Sequence, residues 1–126
     1  MTTRDFIIGI LLLDFGLSQV PIMVYDINGG NSSSSPRSLT EYNNKLYFEA
    51  TNGSYSNNQY GSELWVYDGT NDPSMVYDIN TGQYGQYSSG PQYLAVFNNK
   101  LYFSASNGSG SGGGQVGHEL WVYDGV

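Results

Sequence analysis

Cysteine is absent, histidine occurs once, and lysine and arginine together number 4 in 126 residues. Without cysteine there is no disulfide framework, no thiolate metal site and no thiol chemistry. The lone His118 has no second imidazole to share a metal with and no Ser-His-Asp context, so it reads as a loop residue rather than a catalytic one. The 11 acids give a net charge of −7, and phosphate binding needs a positive face, so nucleic acid is not an expected partner. Charged residues make up only 12% of the chain, and no stretch carries a 3.6-residue apolar period, which excludes long helices and coiled coils. No glycine-rich loop leads from a strand into a helix, so neither a nucleotide site nor a cofactor is expected. The abundant residues are Gly (17) and Tyr (12), with Ser and Asn. The length suits one domain, or two very small ones.

One apolar run exists, FIIGILLL at residues 6–13. It falls well short of the about 20 residues that span a bilayer, so no membrane span is expected. A signal peptide is the competing reading: Arg4 supplies a basic start, and Gly16-Leu17-Ser18 has the small-x-small form of a cleavage site. Asp5 and Asp14 bracket the run with charge and favour a buried strand, because successive large apolar residues fill both faces of a sheet. Residues 1–20 are therefore read as an apolar linking strand ahead of two larger units, and Leu11-Leu12-Leu13-Asp14-Phe15-Gly16, which loosely parallels Leu64 to Gly69, also reads as a degenerate fourth blade strand.

Those units, 21–72 and 73–126, are copies of one another. Met23-Val24-Tyr25-Asp26-Ile27-Asn28 returns as Met75-Val76-Tyr77-Asp78-Ile79-Asn80. Asn43-Asn44-Lys45-Leu46-Tyr47-Phe48 returns as Asn98-Asn99-Lys100-Leu101-Tyr102-Phe103, and Glu63-Leu64-Trp65-Val66-Tyr67-Asp68-Gly69 as the same seven residues from Glu119 to Gly125. Three matched blocks in one order define a repeat, and the differences in spacing fall in Gly/Ser/Asn/Tyr loops where insertions are tolerated.

Each copy reads as four short strands, in the first copy at 22–27, 39–42, 45–51 and 63–68. Asn43-Asn44 and Asn98-Asn99 suit two-residue hairpin turns, because asparagine tolerates the positive φ such turns need. Alternation separates aliphatic from aromatic rather than apolar from polar: Leu64 and Val66 point one way, Trp65 and Tyr67 the other. A sheet apolar on both sides requires cover on both sides. The expected fold is all-β, with two four-stranded β-propeller-type blades per chain.

The blocks ELWVYDGT (63–70) and ELWVYDG (119–125), each preceded by NKLYF, resemble the bacterial ELWxxDGT repeat proteins. The resemblance covers most of residues 21–126. It implies propeller-like repeats, a secreted or cell-surface location, and no established enzymatic activity. Two features depart from the family pattern: this sequence holds two repeats where the family carries many, and Val126 stands where the motif has Thr.

Propellers use about four to eight blades. A pair of sheets exposes one apolar face at each end, and each face projects roughly 300 Å², whose cover is worth on the order of 8 kcal/mol before ordering costs. The repeat suggests that copies of the chain supply this cover head to tail, as a ring or a filament. The expected function is that of a non-enzymatic, self-assembling structural or adhesive extracellular protein. The alternative is a carbohydrate-binding lectin formed as an oligomeric propeller, with Tyr55, Tyr60, Tyr84 and Tyr87 in polar loops offering flat apolar faces to surface glycans. Asp26 and Asn28, repeated as Asp78 and Asn80, have the spacing of calcium-loop oxygens but lack a bidentate glutamate, and Asx turns explain them equally. Asn31, Asn52 and Asn107 open N-glycosylation triplets, which are also ordinary turn sequences. Glu63 and Glu119 recur at a strand start, which suits the acceptance of structural hydrogen bonds.

Overall fold

The computed structural model describes residues 20–53, 60–81, 87–108 and 116–126. Every regular element among them is a strand: β1 Arg37–Tyr42, β2 Lys45–Thr51, β3 Ser62–Tyr67, β4 Ser74–Tyr77, β5 Gln92–Phe97, β6 Lys100–Ser106 and β7 His118–Tyr123. They form two antiparallel sheets, ordered β1-β2-β3-β4 and β5-β6-β7. Both hairpins turn on the asparagine pairs, at φ 50° and 56° for Asn43 and Asn44 and 47° and 56° for Asn98 and Asn99. These are the left-handed values that a type I′ turn requires and that β-branched residues resist. The repeat extends to irregularities. Register slips between Arg37 and Thr40 in one sheet and between Gln92 and Ala95 in the other, at residues of positive φ, Ser38 and Tyr93.

Two expectations are corrected. Residues 22–27 do not form a strand, and the second sheet has three described strands rather than four. The reason is the phase of the repeat. Met75-Val76-Tyr77, expected to open the second unit, instead pairs with β3 as the outer strand of the first sheet, with Leu64 opposite Tyr77 and Trp65 opposite Met75. A strand exists only against a partner edge, and this segment's partner is the ELWVY strand that precedes it. Its identical copy at residues 23–27 pairs with no described strand, and Ile22, Met23 and Val24 are exposed. The apolar linking strand proposed for residues 1–20 lies, apart from Val20, outside the described residues.

The sheets stack face to face. Tyr42, Tyr47 and Leu64 of the first meet Leu101, Phe103 and Ala105 of the second, with Ile79 of the connecting segment between them. Leu101 and Ala105 are 0% exposed and Leu64 is 2%. The opposite face of the first sheet holds a second cluster, Phe48, Ala50 and Trp65, against which Ile27, Leu46, Tyr67 and Met75 pack. The aliphatic and aromatic faces read from alternation are thus both apolar faces of one sheet. The second sheet differs: Leu120 and Val122, the counterparts of Leu64 and Val66, are exposed.

Candidate functional site

The chemistry-bearing side chains gather where the first sheet meets the connection into the second. Glu63 lies in β3 and is wholly buried. Its carboxylate accepts the Ser89 N–H at 2.8 Å, the Ile79 N–H at 3.3 Å and a short hydrogen bond from the Ser89 hydroxyl. Burial pushes the carboxyl up to about 7, against the three hydrogen bonds that pull it down, and nearby Asp78 adds to the rise. Asp78 is itself raised by burial, and its Oδ1 has no hydrogen-bond partner among the described residues. A carboxyl in this position holds β3 to the connection between β4 and β5 in either protonation state: ionised it accepts all three donors, and protonated it can donate to the Ser89 hydroxyl. The Ser62 carbonyl receives the Ser89 and Gly90 amides at 3.1 and 3.0 Å, so β3 is tied to this segment by its backbone as well.

At the other end of the sheets Tyr42 makes the second tie. Its ring is buried against Tyr47, which in turn lies against Tyr123, both pairs with centroids 5.7 Å apart. Its hydroxyl sits 2.8 Å from the Asn99 carbonyl and 2.9 Å from the Asp124 carbonyl, so one proton serves two acceptors. Gly125, at φ +88°, lets the chain pass the ring, since a Cβ there would lie 3.4 Å from the Tyr42 ring and 3.0 Å from Asn43 Nδ2. Burial, with Tyr123 and Tyr42 as neighbours, pushes the Tyr47 phenol up to about 12.

The residues singled out in the sequence are distributed differently. Tyr55 and Tyr84 lie outside the described residues. Tyr60 is half-buried and Tyr87 exposed, and the loops that carry them touch: Ser62 N–H donates to Ser88 Oγ at 2.9 Å, and a Cβ on Gly61 would collide with Ser88. Asp26 Oδ2 accepts the Gly30 N–H at 3.0 Å, which closes the turn over residues 27–30. Asn28 and Asn80 donate through Nδ2 to the Ser33 and Ser88 carbonyls at 2.9 and 3.0 Å. Among the described residues no three His, Cys, Asp or Glu side chains converge on a metal position. Asn52 Oδ1 accepts the Tyr60 N–H at 2.8 Å and Asn107 Oδ1 the Val116 N–H at 2.6 Å, each closing the base of a loop, while Asn31 is exposed in the turn after residue 30. His118, expected in a loop, opens β7 and is exposed. No described helix is long and apolar enough to cross a membrane.

The sequence points to Glu63 as an acceptor but not to its donors, which come from the next repeat. Tyr42 was missed. The signal available was its position beside the Asn-Asn turn, where the second repeat has Phe97. Compared with family models, with curated proteins and with solved structures, the chain gave no match.

Proposed function

We propose that this chain is a non-enzymatic structural module of β-propeller type that works by assembling with copies of itself, in an adhesive or scaffolding role outside the cell. The observation that carries the reading is the unequal cover of the two sheets. Leu64 is 2% exposed beneath the second sheet, while its counterpart Leu120 is 76% exposed. Exposed apolar patches of this kind mark interaction surfaces. The wholly buried Glu63 carboxyl binds the repeats together, which suits a cohesive role. The likeness of its repeats to ELWxxDGT proteins supports export to the cell surface. Light scattering and negative-stain microscopy test the proposal: rings or filaments are expected, and a single species of 13.8 kDa at all concentrations would reject it. A second reading, glycan binding by the assembled protein, draws on the adjoining Tyr60 and Tyr87 loops. Absence of hits on a glycan array would remove it.

A further inference from the structure

The junction between the repeats has two halves, and the molecule presents a second, unjoined set of both. The upstream half consists of the β3 edge, Glu63 and the Tyr42 ring. Its counterparts in the second repeat are the β7 edge, Glu119 and Phe97. Glu119 is exposed, Leu120 and Val122 are 76% and 53% exposed, and Phe97 is 64% exposed. Among the described residues no strand lies beyond β7.

The downstream half is the Met75–Asn80 segment, the Ser89 amide and hydroxyl, and the recess formed by Asn99, Asp124 and Gly125. Its counterparts in the first repeat are already held in matching geometry. The Thr51 amide donates to the Ser34 carbonyl at 3.0 Å, as the Ser106 amide does to Ser89 at 3.0 Å. Ser35 and Gly90 share a positive φ, at 47° and 56°. Ile27 packs on the Phe48 and Ala50 cluster as Ile79 packs on that of Phe103 and Ala105. Ile22, Met23 and Val24 stand exposed at 84%, 77% and 60%. An open hollow lined by Asn44, Leu46, Tyr67, Asp68 and Gly69 lies where the second repeat receives the Tyr42 ring. Gly69 has the φ of +88° found at Gly125, but nothing lies within 4 Å of its Cβ position.

We propose that a second copy of the chain joins these halves: residues 22–25 of one copy pair antiparallel with the β7 edge of another, Phe97 of that β7-bearing copy seats in the hollow at Gly69, and its Glu119 accepts the Ile27 and Ser34 amides. This is the contact by which the self-assembly proposed above proceeds, and it rests on that reading. The partner is fixed by the chain's own internal junction, in which the same ELWVY strand, MVYDI segment and glycine recess meet. The register is that of β3 and β4, where Leu64 faces Tyr77, Trp65 faces Met75 and Val66 faces Ser74. Transferred between copies it sets Leu120 opposite Tyr25, Trp121 opposite Met23 and Val122 opposite Ile22. The contact is weaker than its internal model in one respect, because Phe97 has no hydroxyl to offer the Asn44 and Asp68 carbonyls.

Both features can be tested in the full chain, whose lack of cysteine leaves the background clean. Facing residues of antiparallel strands lie about 4.5–5.5 Å apart at Cα, within the span of a disulfide. Mild oxidation of the double variant Ile22→Cys, Val122→Cys is expected to give a ladder of covalent multimers on a non-reducing gel. The control pair Ile22→Cys, Val96→Cys, with the second cysteine on the far strand β5, is expected to give none. Phe97→Tyr is expected to tighten self-association about 5–10-fold in sedimentation by restoring the hydroxyl bond, and Phe97→Asp to weaken it by at least about tenfold. Equal ladders from both pairs, or none while the unmodified chain sediments as an oligomer, would overturn this contact and leave self-assembly standing. An unmodified chain that stays monomeric would overturn both.

Discussion

The two ELWVYDG strands of this protein are identical over seven residues and live in opposite surroundings. In β3 the glutamate is 0% exposed and takes three hydrogen bonds, and the leucine after it is 2% exposed. In β7 the same glutamate and leucine face solvent. Since the sequence is constant, the difference comes from the neighbours each strand meets in space: β3 is covered by the MVYDIN segment and the second sheet, and β7 by no described strand. Burial here is a property of the junction rather than of the strand.

Paired substitutions break or sharpen that contrast. The largest difference is expected between Leu64→Ala and Leu120→Ala. Removing a core leucine costs about 2–5 kcal/mol, while the exposed copy in dilute protein should stay within about 0.5 kcal/mol of the parent, as surface changes do. Urea midpoints compared at equal slopes measure both.

The next effect is in pH dependence. The Glu63 carboxyl, raised from an ordinary 4.5 to about 7, holds its proton in the folded chain over a range where the unfolded chain has lost it. Its contribution is therefore complete below about pH 4.5, declines as pH rises, and is gone above about 7, a fall on the order of 3 kcal/mol. Asp78, also raised, acts in the same sense. Asp68 acts in the opposite sense and in a lower window, because the Asn71 side chain and the Asn71 and Thr70 amides hold it down at about 2. Urea titrations from pH 4.5 to 7.5 should show declining stability in the parent and in Glu119→Gln, and a much flatter profile in Glu63→Gln. An unchanged slope in Glu63→Gln would place the titrating group elsewhere.

The smallest effect concerns the aromatic tie. Tyr42→Phe removes a hydroxyl shared by two carbonyls and should cost about 1 kcal/mol. Phe97→Tyr should leave the stability of dilute protein unchanged, since the ring is 64% exposed rather than seated on carbonyls as Tyr42 is. Thermal melts at low concentration distinguish the two.

Much of the fold was legible in the residues alone. The Asn-Asn pairs marked both hairpins because few other residues accept positive φ at two successive positions. Alternation in KLYFEA and ELWVYD gave strands with two apolar faces, and the repeat gave two sheets. The pairing of MVYD was not legible. Periodicity says that a segment is extended but not which edge it joins, so the strand was grouped with the residues after it instead of the β3 before it. At the site, the repetition of Glu63 marked an acceptor, but its donors, Ser89 and Ile79, lie 26 and 16 residues away and owe their position to the stacking of the sheets. Tyr42 was invisible for a related reason: a tyrosine before a turn is buried or exposed according to the element that packs above it.

Hydrogen exchange measured at rising protein concentration tests the central claim most directly, that the junction closed at β3 stands open at β7 and is filled by another copy. The amides of β3 should be protected throughout, while the β7 amides that point away from β6 and those of residues 22–27 should gain protection together as concentration increases. Rapid exchange in these β7 amides and residues 22–27 that does not change with concentration would contradict that claim.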